Sequence, residues 1–431
     1  MTRFLMVIGL LWWLSPLGLA AFNDFEEAPH RYWETPPQDA ATQLHRRMAA
    51  GEVFLPGGEA LVYLKAYLRE LRVPEASQTL VFSKTAFQRQ LVHAGNPRAV
   101  YFNQDVAVGY IPGGRIEVAA VDPVLGGIFY IFDAPTAEGE LPKFERPARC
   151  LGCHAGSFTN FLPGLMTHSV HTQADGRVLD SAPAHFSGHA APLADRWGGW
   201  IVTGEMPGVS HQGNRIAQRT PTGIVSEPMG DPAAKFSADL FLHGARSDGS
   251  ALLALDHMIG AVNRLMEANY RVRSVLHDHG MSGDPDKSIW SGEVLETARD
   301  QAVLLSRHLL FEDETPLPSV GLQPDPAFAA ATRDGAPADA HGRSLHDLSL
   351  QGRLYQYRCS PMIGSTAFRG LPRPLRRLVW EHIRDATRAQ SQHPSATRLS
   401  PDERAAIRSI LLATESEFVE VVHSENQDGN R

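Results

Sequence analysis

Two cysteines and a histidine stand close together in "RCLGCHAGSF", residues 149–158. Cys150 and Cys153 are separated by two residues, and His154 follows directly. A C-x-x-C-H run is the signature of covalent haem attachment. The two thiols add to the vinyl groups of the porphyrin, and the histidine becomes the proximal ligand of the iron. The pattern therefore predicts one haem c, held by thioethers from Cys150 and Cys153, with His154 on the iron.

The same cysteine pair has three alternative uses, which the pattern favours less. A thioredoxin-like dithiol usually opens a helix within a βαβ unit, and the preceding "FERPAR" resembles a loop. A structural zinc site needs four ligands, and the chain has only one such pair, although later histidines could complete a set. A disulfide across two residues is strained.

The N-terminus predicts a secretory signal peptide. Arg3 precedes an apolar run at residues 4–14, Pro16 breaks the run, and Gly18 and Ala20 are small residues suited to cleavage near Ala20. The run is shorter than the roughly 20 apolar residues of a membrane span. We therefore expect a bacterial protein that is periplasmic or otherwise exported, with no membrane span after cleavage. Export also satisfies a requirement of covalent haem attachment, which is completed outside the cytoplasm.

Composition narrows the class of protein. The 431 residues are 43% hydrophobic and 20% charged, as in an ordinary globular protein, and suggest two or three domains. The formal net charge of −8 argues against binding to nucleic acid or to an anionic membrane surface. Three cysteines do not form a disulfide framework. We expect the remaining one, Cys359, to be a small buried residue.

Hydrophobic patterning predicts an α+β fold. After the signal peptide at residues 1–20, residues 21–140 form an N-terminal α+β region, with helices up to about residue 75 and an antiparallel sheet from about 79 to 133. Residues 141–230 form a loop-rich, haem-binding region resembling cytochrome c, with one short strand at Trp200–Thr203. Residues 231–431 are mostly helical.

Three predictions concern the C-terminal region. Residues 313–343 are rich in Pro, Ala and Asp and indicate a loop or linker. "LSPDERAAIRSILLAT" indicates the last clear helix, with Ser400 as N-cap, Pro401 in the first turn and Glu403 completing a capping box. The tail from about residue 421 is polar, and we expect it to fray.

The haem motif and the export signal together resemble a c-type cytochrome. The chain is much longer than small soluble cytochromes, and it resembles an uncharacterised family of long secreted bacterial proteins with a single C-x-x-C-H. The matching stretches are "SQTLVFSKTAFQ", "CLGCHAG", "RWGGWIVTG" and "CSPMI". The resemblance implies haem binding and electron transfer, and it carries over Cys150, Cys153 and His154.

The ligand on the other side of the iron decides between two functions. A histidine or methionine closes the site for electron transfer, whereas an open position permits ligand binding or peroxide chemistry. His211, His189 and Met206 are the distal candidates, because they follow the motif in turn-rich sequence.

Several polar residues have candidate roles around the haem. Arg196 is a candidate partner for a haem propionate, with Arg146 and Arg149 as alternatives. Asp256 and His257 lie on a strongly periodic helix, where we expect surface or capping roles.

The sequence therefore predicts a secreted monohaem c-type cytochrome, containing iron, that exchanges electrons with periplasmic redox partner proteins. The alternative is a haem enzyme of the peroxidase or oxidase type, or a haem protein that binds small ligands. The redox potential, the electron donor and acceptor, a substrate and the oligomeric state do not follow from the sequence.

Overall fold

The computed structural model of the protein describes residues 25–179, 188–281 and 290–428, with side chains up to residue 424. The predicted signal peptide lies outside these residues. The N-terminal region begins with α1 (Ala40–Ala49) and α2 (Ala60–Glu70). Asp39 caps α1 by accepting a hydrogen bond from the Thr42 amide, which satisfies one of the free N–H groups at the helix start.

A six-stranded antiparallel sheet forms the centre of the molecule. Its strands are β1 (Thr79–Val81), β2 (Arg98–Phe102), β3 (Val106–Tyr110), β4 (Ile116–Asp122), β5 (Gly126–Phe132) and β6 (Trp200–Ile201). The strand order is β5-β4-β3-β2-β1-β6. The sixth strand comes from the loop-rich region and pairs with β1, so this region extends the edge of the N-terminal sheet.

Each face of the sheet packs against a different part of the chain. Successive side chains of a strand point to opposite faces. One face carries Tyr101, Val108 and Val118 and shares a hydrophobic core with residues of α1 and α2. The other face carries Val100 and Phe129 and shares a second core with the C-terminal helices. The sheet thus lies between the N-terminal helices and the C-terminal helices.

The C-terminal half is mostly helical, as predicted. Its helices are α4 (Gly249–Asp278), α5 (Gly292–Leu309), α6 (Pro326–Arg333), α7 (Thr366–Arg369), α8 (Arg373–Ala386), α9 (Pro401–Thr414) and α10 (Ser416–Asp428), and the one-turn α3 (Leu151–His154) precedes them in the chain. The α+β class is confirmed. No helix within the described ranges combines the length and the apolar character needed to cross a membrane.

Two local predictions were wrong, and one hairpin was not predicted. The expected linker at residues 313–343 contains α6, whose start Asp325 caps by accepting from two backbone amides. The helix α9 is not the last, because α10 follows it and buries Phe418 and Val421. The loop-rich region also contains a hairpin of β7 (Arg215–Thr220) and β8 (Gly223–Pro228), whose side chains are largely exposed and so lack a strong apolar pattern.

Candidate functional site

The cysteine pair lies on a short helical segment beside the second face of the sheet. A 3₁₀ turn at Ala148–Cys150 leads into α3, so the residues from Cys150 to His154 follow a helical path. Cys150 is partly buried, Cys153 is exposed, and neither forms a disulfide. Cys359 is also a free thiol and is fully buried, as predicted.

A cavity of about 390 Å³ separates this segment from the sheet. Several parts of the chain contribute to its walls. The sheet contributes Val81, Val100, Ala107, Ala119, Phe129 and Ile131, the motif contributes Cys150, Cys153 and His154, and α4 contributes Leu255 and Ile259. The volume falls within the range of about 300–1,000 Å³ that is usual for ligand and cofactor sites.

His154 is held in one orientation. Its Nδ1 is 3.0 Å from the carbonyl oxygen of Gly164 and donates to it, because a carbonyl can only accept. The ring of Phe129 packs against the imidazole with 4.1 Å between the ring centres. Burial lowers the pKa of His154 to about 4, so the ring is neutral at neutral pH. In this tautomer Nε2 carries the lone pair that a metal ligand needs.

The Gly164 carbonyl is itself anchored to α4. Asn263 accepts from the Leu165 amide at 2.9 Å and donates to the Leu165 carbonyl at 2.8 Å. Gly164 also fits closely, because a Cβ atom at this position would lie 2.6 Å from Oδ1 of Asn263. The amide of Gly164 donates to the carbonyl of His154 at 2.8 Å. The helix therefore positions the loop, and the loop positions the imidazole.

Three arginines line the cavity. Arg98 pairs with Glu117 at 2.9 Å, and both side chains are mostly buried. Arg149 lies over the ring of Phe87 at 3.5 Å, and Arg89 is the third. Only one of these positive charges has an acidic partner among the lining residues, so the cavity suits a ligand that carries carboxylates.

The wall supplied by residues 165–168 contains two further side chains of types that can bind a metal. Met166 and His168 both line the cavity. The carbonyl of His168 accepts a hydrogen bond from Nε1 of Trp200 at 2.8 Å, which ties this segment to β6. Burial lowers the pKa of His168. A positive charge on His168 would in turn lower the pKa of His154.

The three distal candidates from the sequence lie elsewhere, and none of them is among the described residues that line the cavity. His211 packs beside Trp197 and accepts from the Gly213 amide. Met206 packs against Gly249 at the start of α4. His189 is buried against His257. Their spacing from the motif gave no information about which way the intervening loop folds.

Two of the three arginines that we expected near the haem make their contacts away from the cavity. Arg196 is 5% exposed and donates to the carbonyls of His189 and Ala191, and its other near neighbour is Asp256. Arg146 lies over the ring of Tyr32. Arg149 alone of the three reaches the cavity.

Asp256 and His257 are not surface or capping residues, which corrects the sequence prediction. Their exposed fractions are 5% and 1%. The burial of Asp256 and His257 could have been predicted from the sequence, since residues 251–262 are apolar apart from these two and Gly260. A helix that is apolar all round is buried, and polar residues within it are therefore buried as well.

Comparison of the chain with protein-family models, with curated proteins and with solved structures finds no match. The arguments on function therefore depend on the geometry of the chain itself.

Proposed function

We propose that this protein is an exported monohaem c-type cytochrome that transfers electrons. Cys150 and Cys153 would attach the haem, and His154 would bind its iron. The observation that carries the proposal is the cavity: the C-x-x-C-H segment borders a space lined by apolar side chains and by arginines, and Nδ1 of His154 is already hydrogen-bonded, which leaves Nε2 for a metal.

The alternatives for the cysteine pair have weaker support. Burial raises the pKa of the Cys150 thiol to about 11, and the charge of Glu117 adds to the effect. A redox dithiol needs the opposite, a lowered thiol pKa. The one group of three clustered metal-ligating side chains in the described part of the chain contains neither cysteine. Zinc at Cys150 and Cys153 would therefore lack a third protein ligand already in place among the described residues.

When bound, a haem supplies one-electron chemistry at its iron. The chain's own part is to hold and shield it. The apolar side chains of the sheet and of α4 would shield part of the bound group from water, which would lower the local dielectric constant there. Arg149 and Arg89 are the residues suited to the propionates, because neither has an acidic partner among the lining residues. The hydrogen bond to Gly164 keeps the His154 ring from rotating and increases its basicity as a ligand.

His168 is the residue we favour on the other side of the iron, with Met166 second. Both line the cavity, and the pKa of His168 is lowered by burial, so its imidazole is neutral and able to bind a metal. A closed site of this kind supports electron transfer rather than the alternative of a haem enzyme or ligand-binding protein.

The test is expression in a bacterium that matures c-type cytochromes, with the native N-terminus in place. We expect the exported protein to keep its haem in denaturing gels and to give a low-spin, six-coordinate ferric spectrum. The Cys150→Ala/Cys153→Ala variant should lose the covalent haem, and Cys359→Ala, the matched cysteine control, should keep it.

The distal ligand is tested with His168→Ala and Met166→Ala. We expect His168→Ala to become high-spin and to bind cyanide or azide more readily, whereas Met166→Ala should keep the low-spin spectrum. The reverse pattern would assign Met166. A wild-type protein that is already high-spin and turns over peroxide would favour the enzyme, and a protein without covalent haem would refute the proposal.

A further inference from the structure

Three histidines meet in the core on the side of α4 away from the cavity. His257 comes from α4, His308 from α5, and His189 from the segment before β6. Their exposed fractions are 1%, 3% and 2%. One nitrogen from each ring lies within 4.8 Å of the others. Such a cluster lies outside the proposed haem site and has no part in its chemistry.

Each ring is held from the outside by a hydrogen bond at one nitrogen. Nε2 of His189 is 2.7 Å from Asp313, and Nε2 of His257 is 2.7 Å from the hydroxyl of Ser360. Nδ1 of His308 lies 3.4 Å from the Asp313 carboxylate. Metal-binding histidines almost always have their second nitrogen engaged in this way, which orients the ring and selects its tautomer.

The remaining nitrogens are the ones that need an explanation. Nδ1 of His189 and Nδ1 of His257 are only 2.7 Å apart. Nε2 of His308 is buried and has no hydrogen-bond partner among the described residues. A shared proton satisfies the first two nitrogens but leaves the third without a partner, at a cost of about 1–3 kcal/mol for a buried polar group. A cation would engage all three nitrogens once the rings turn towards it, because the rings of His189 and His308 are stacked, with 4.1 Å between their centres and 21° between their planes.

The protonation of the cluster agrees with this role. Burial lowers the pKa of all three histidines, so the rings are neutral and keep their lone pairs. Burial alone would raise the pKa of Asp313, but its hydrogen bonds to His189 and His308 outweigh this effect and hold the carboxyl ionised. Asp313 is 34% exposed and pairs with the half-exposed Arg264. Asp313 thus places a partly exposed negative charge beside His189 and His308.

We propose that His189, His257 and His308 bind one divalent metal ion of the late first row, such as Zn²⁺. Asp313 would not bind the ion itself but would hydrogen-bond to two of its ligands, His189 and His308. Imidazole nitrogen suits Zn²⁺, Cu²⁺, Fe²⁺ and Ni²⁺, and disfavours Ca²⁺ and Mg²⁺, which take oxygen ligands. Three histidines are also the protein ligand number of open zinc sites. Binding would move the rings of His189 and His257 apart to the nitrogen spacing that Zn–N bonds of about 2.0–2.1 Å require. This proposal does not depend on the haem.

The test measures metal binding by the purified full-length protein after dialysis against a chelator. Zn²⁺ is titrated by calorimetry, and Co²⁺ is followed by its visible absorption. We expect one equivalent of tightly bound ion and a rise in the thermal unfolding midpoint. His308→Gln should weaken binding by more than about 100-fold, and Asp313→Asn by about 10–100-fold.

A second histidine pair provides the matched control. His382 and His393 are 3.2 Å apart but are less buried. The variant His382→Gln/His393→Gln should bind the ion like wild type. Asp313→Asn keeps all three rings and covers the case in which His308→Gln fails to fold. Absence of a bound equivalent in wild type, or equal affinity in Asp313→Asn and wild type, would overturn the proposal. Loss of haem with retained Zn²⁺ binding would count against the proposed function alone.

Discussion

Asn263 connects α4 to the loop that orients His154, and its replacement gives the sharpest prediction. The side chain makes two hydrogen bonds to the backbone of Leu165, one at each end of the amide group. Leu165 follows Gly164, whose carbonyl accepts from His154. Asn263→Leu keeps a similar volume and removes both hydrogen bonds.

The magnitude follows from the number of groups left without a partner. An intramolecular hydrogen bond contributes about 1 kcal/mol net, and a fully buried orphan group costs about 1–3 kcal/mol. Leu165 is 3% exposed, whereas Asn263 is only partly buried, so water reaches part of the site. We expect Asn263→Leu to lower the free energy of unfolding by about 2–3 kcal/mol. Asn263→Asp still accepts from the Leu165 amide, and we expect about half of that loss.

The assay is urea unfolding of the two variants beside wild type, with hydrogen exchange of the Leu165 amide as a local readout. Exchange at Leu165 should accelerate in Asn263→Leu and change less in Asn263→Asp. Unfolding free energies within about 0.5 kcal/mol of wild type are usual for surface substitutions. Such a value together with unchanged exchange at Leu165 would refute the idea that Asn263 anchors the loop.

Two further predictions concern stability away from the cavity. His30 is 2% exposed and stacks on Tyr270, and burial lowers its pKa to about 3. The neutral ring therefore contributes its full share to the free energy of unfolding above pH 6.5. This contribution is lost as the pH falls towards 3, because the histidine is protonated at a higher pH in the unfolded chain than in the folded protein. His30→Phe should therefore lose less stability than wild type between pH 6.5 and pH 4, measured by urea unfolding, and an equal loss would contradict this reasoning. Glu403 is 7% exposed and bonds Arg358 and Arg353. Breaking a buried ion pair costs about 3–5 kcal/mol, and glutamine keeps one of the two hydrogen-bonding oxygens, so Glu403→Gln should lower the free energy of unfolding by about 2–4 kcal/mol. A loss below about 0.5 kcal/mol would contradict this prediction.

The start of α9 shows where local patterning ceases to be informative. Ser400 caps the helix by accepting from the Glu403 amide at 3.1 Å, as the sequence predicts. The second half of the capping box was wrong, because the Glu403 carboxylate is engaged by Arg358 and Arg353. A charged hydrogen bond to an arginine is stronger than one to a neutral amide, and the arginines come from a segment that only folding brings near.

The sequence by itself determined the elements with local causes. The α+β class, the sheet region and the long helices follow from hydrophobic periodicity, which depends on neighbours a few residues apart. The proposed haem attachment at C-x-x-C-H is likewise a prediction from local spacing, because the two thiols and the histidine lie within five residues.

Only the tertiary structure decided which distant residues face each other. It placed Met166 and His168 on the cavity wall and moved His189 to a cluster with His257 and His308, residues 68 and 119 positions further along the chain. These groupings depend on packing of α4 and α5 and on the path of the loop-rich region against the sheet. Burial of apolar area drives that packing and is non-directional, so sequence spacing carries no record of which side chains it brings together.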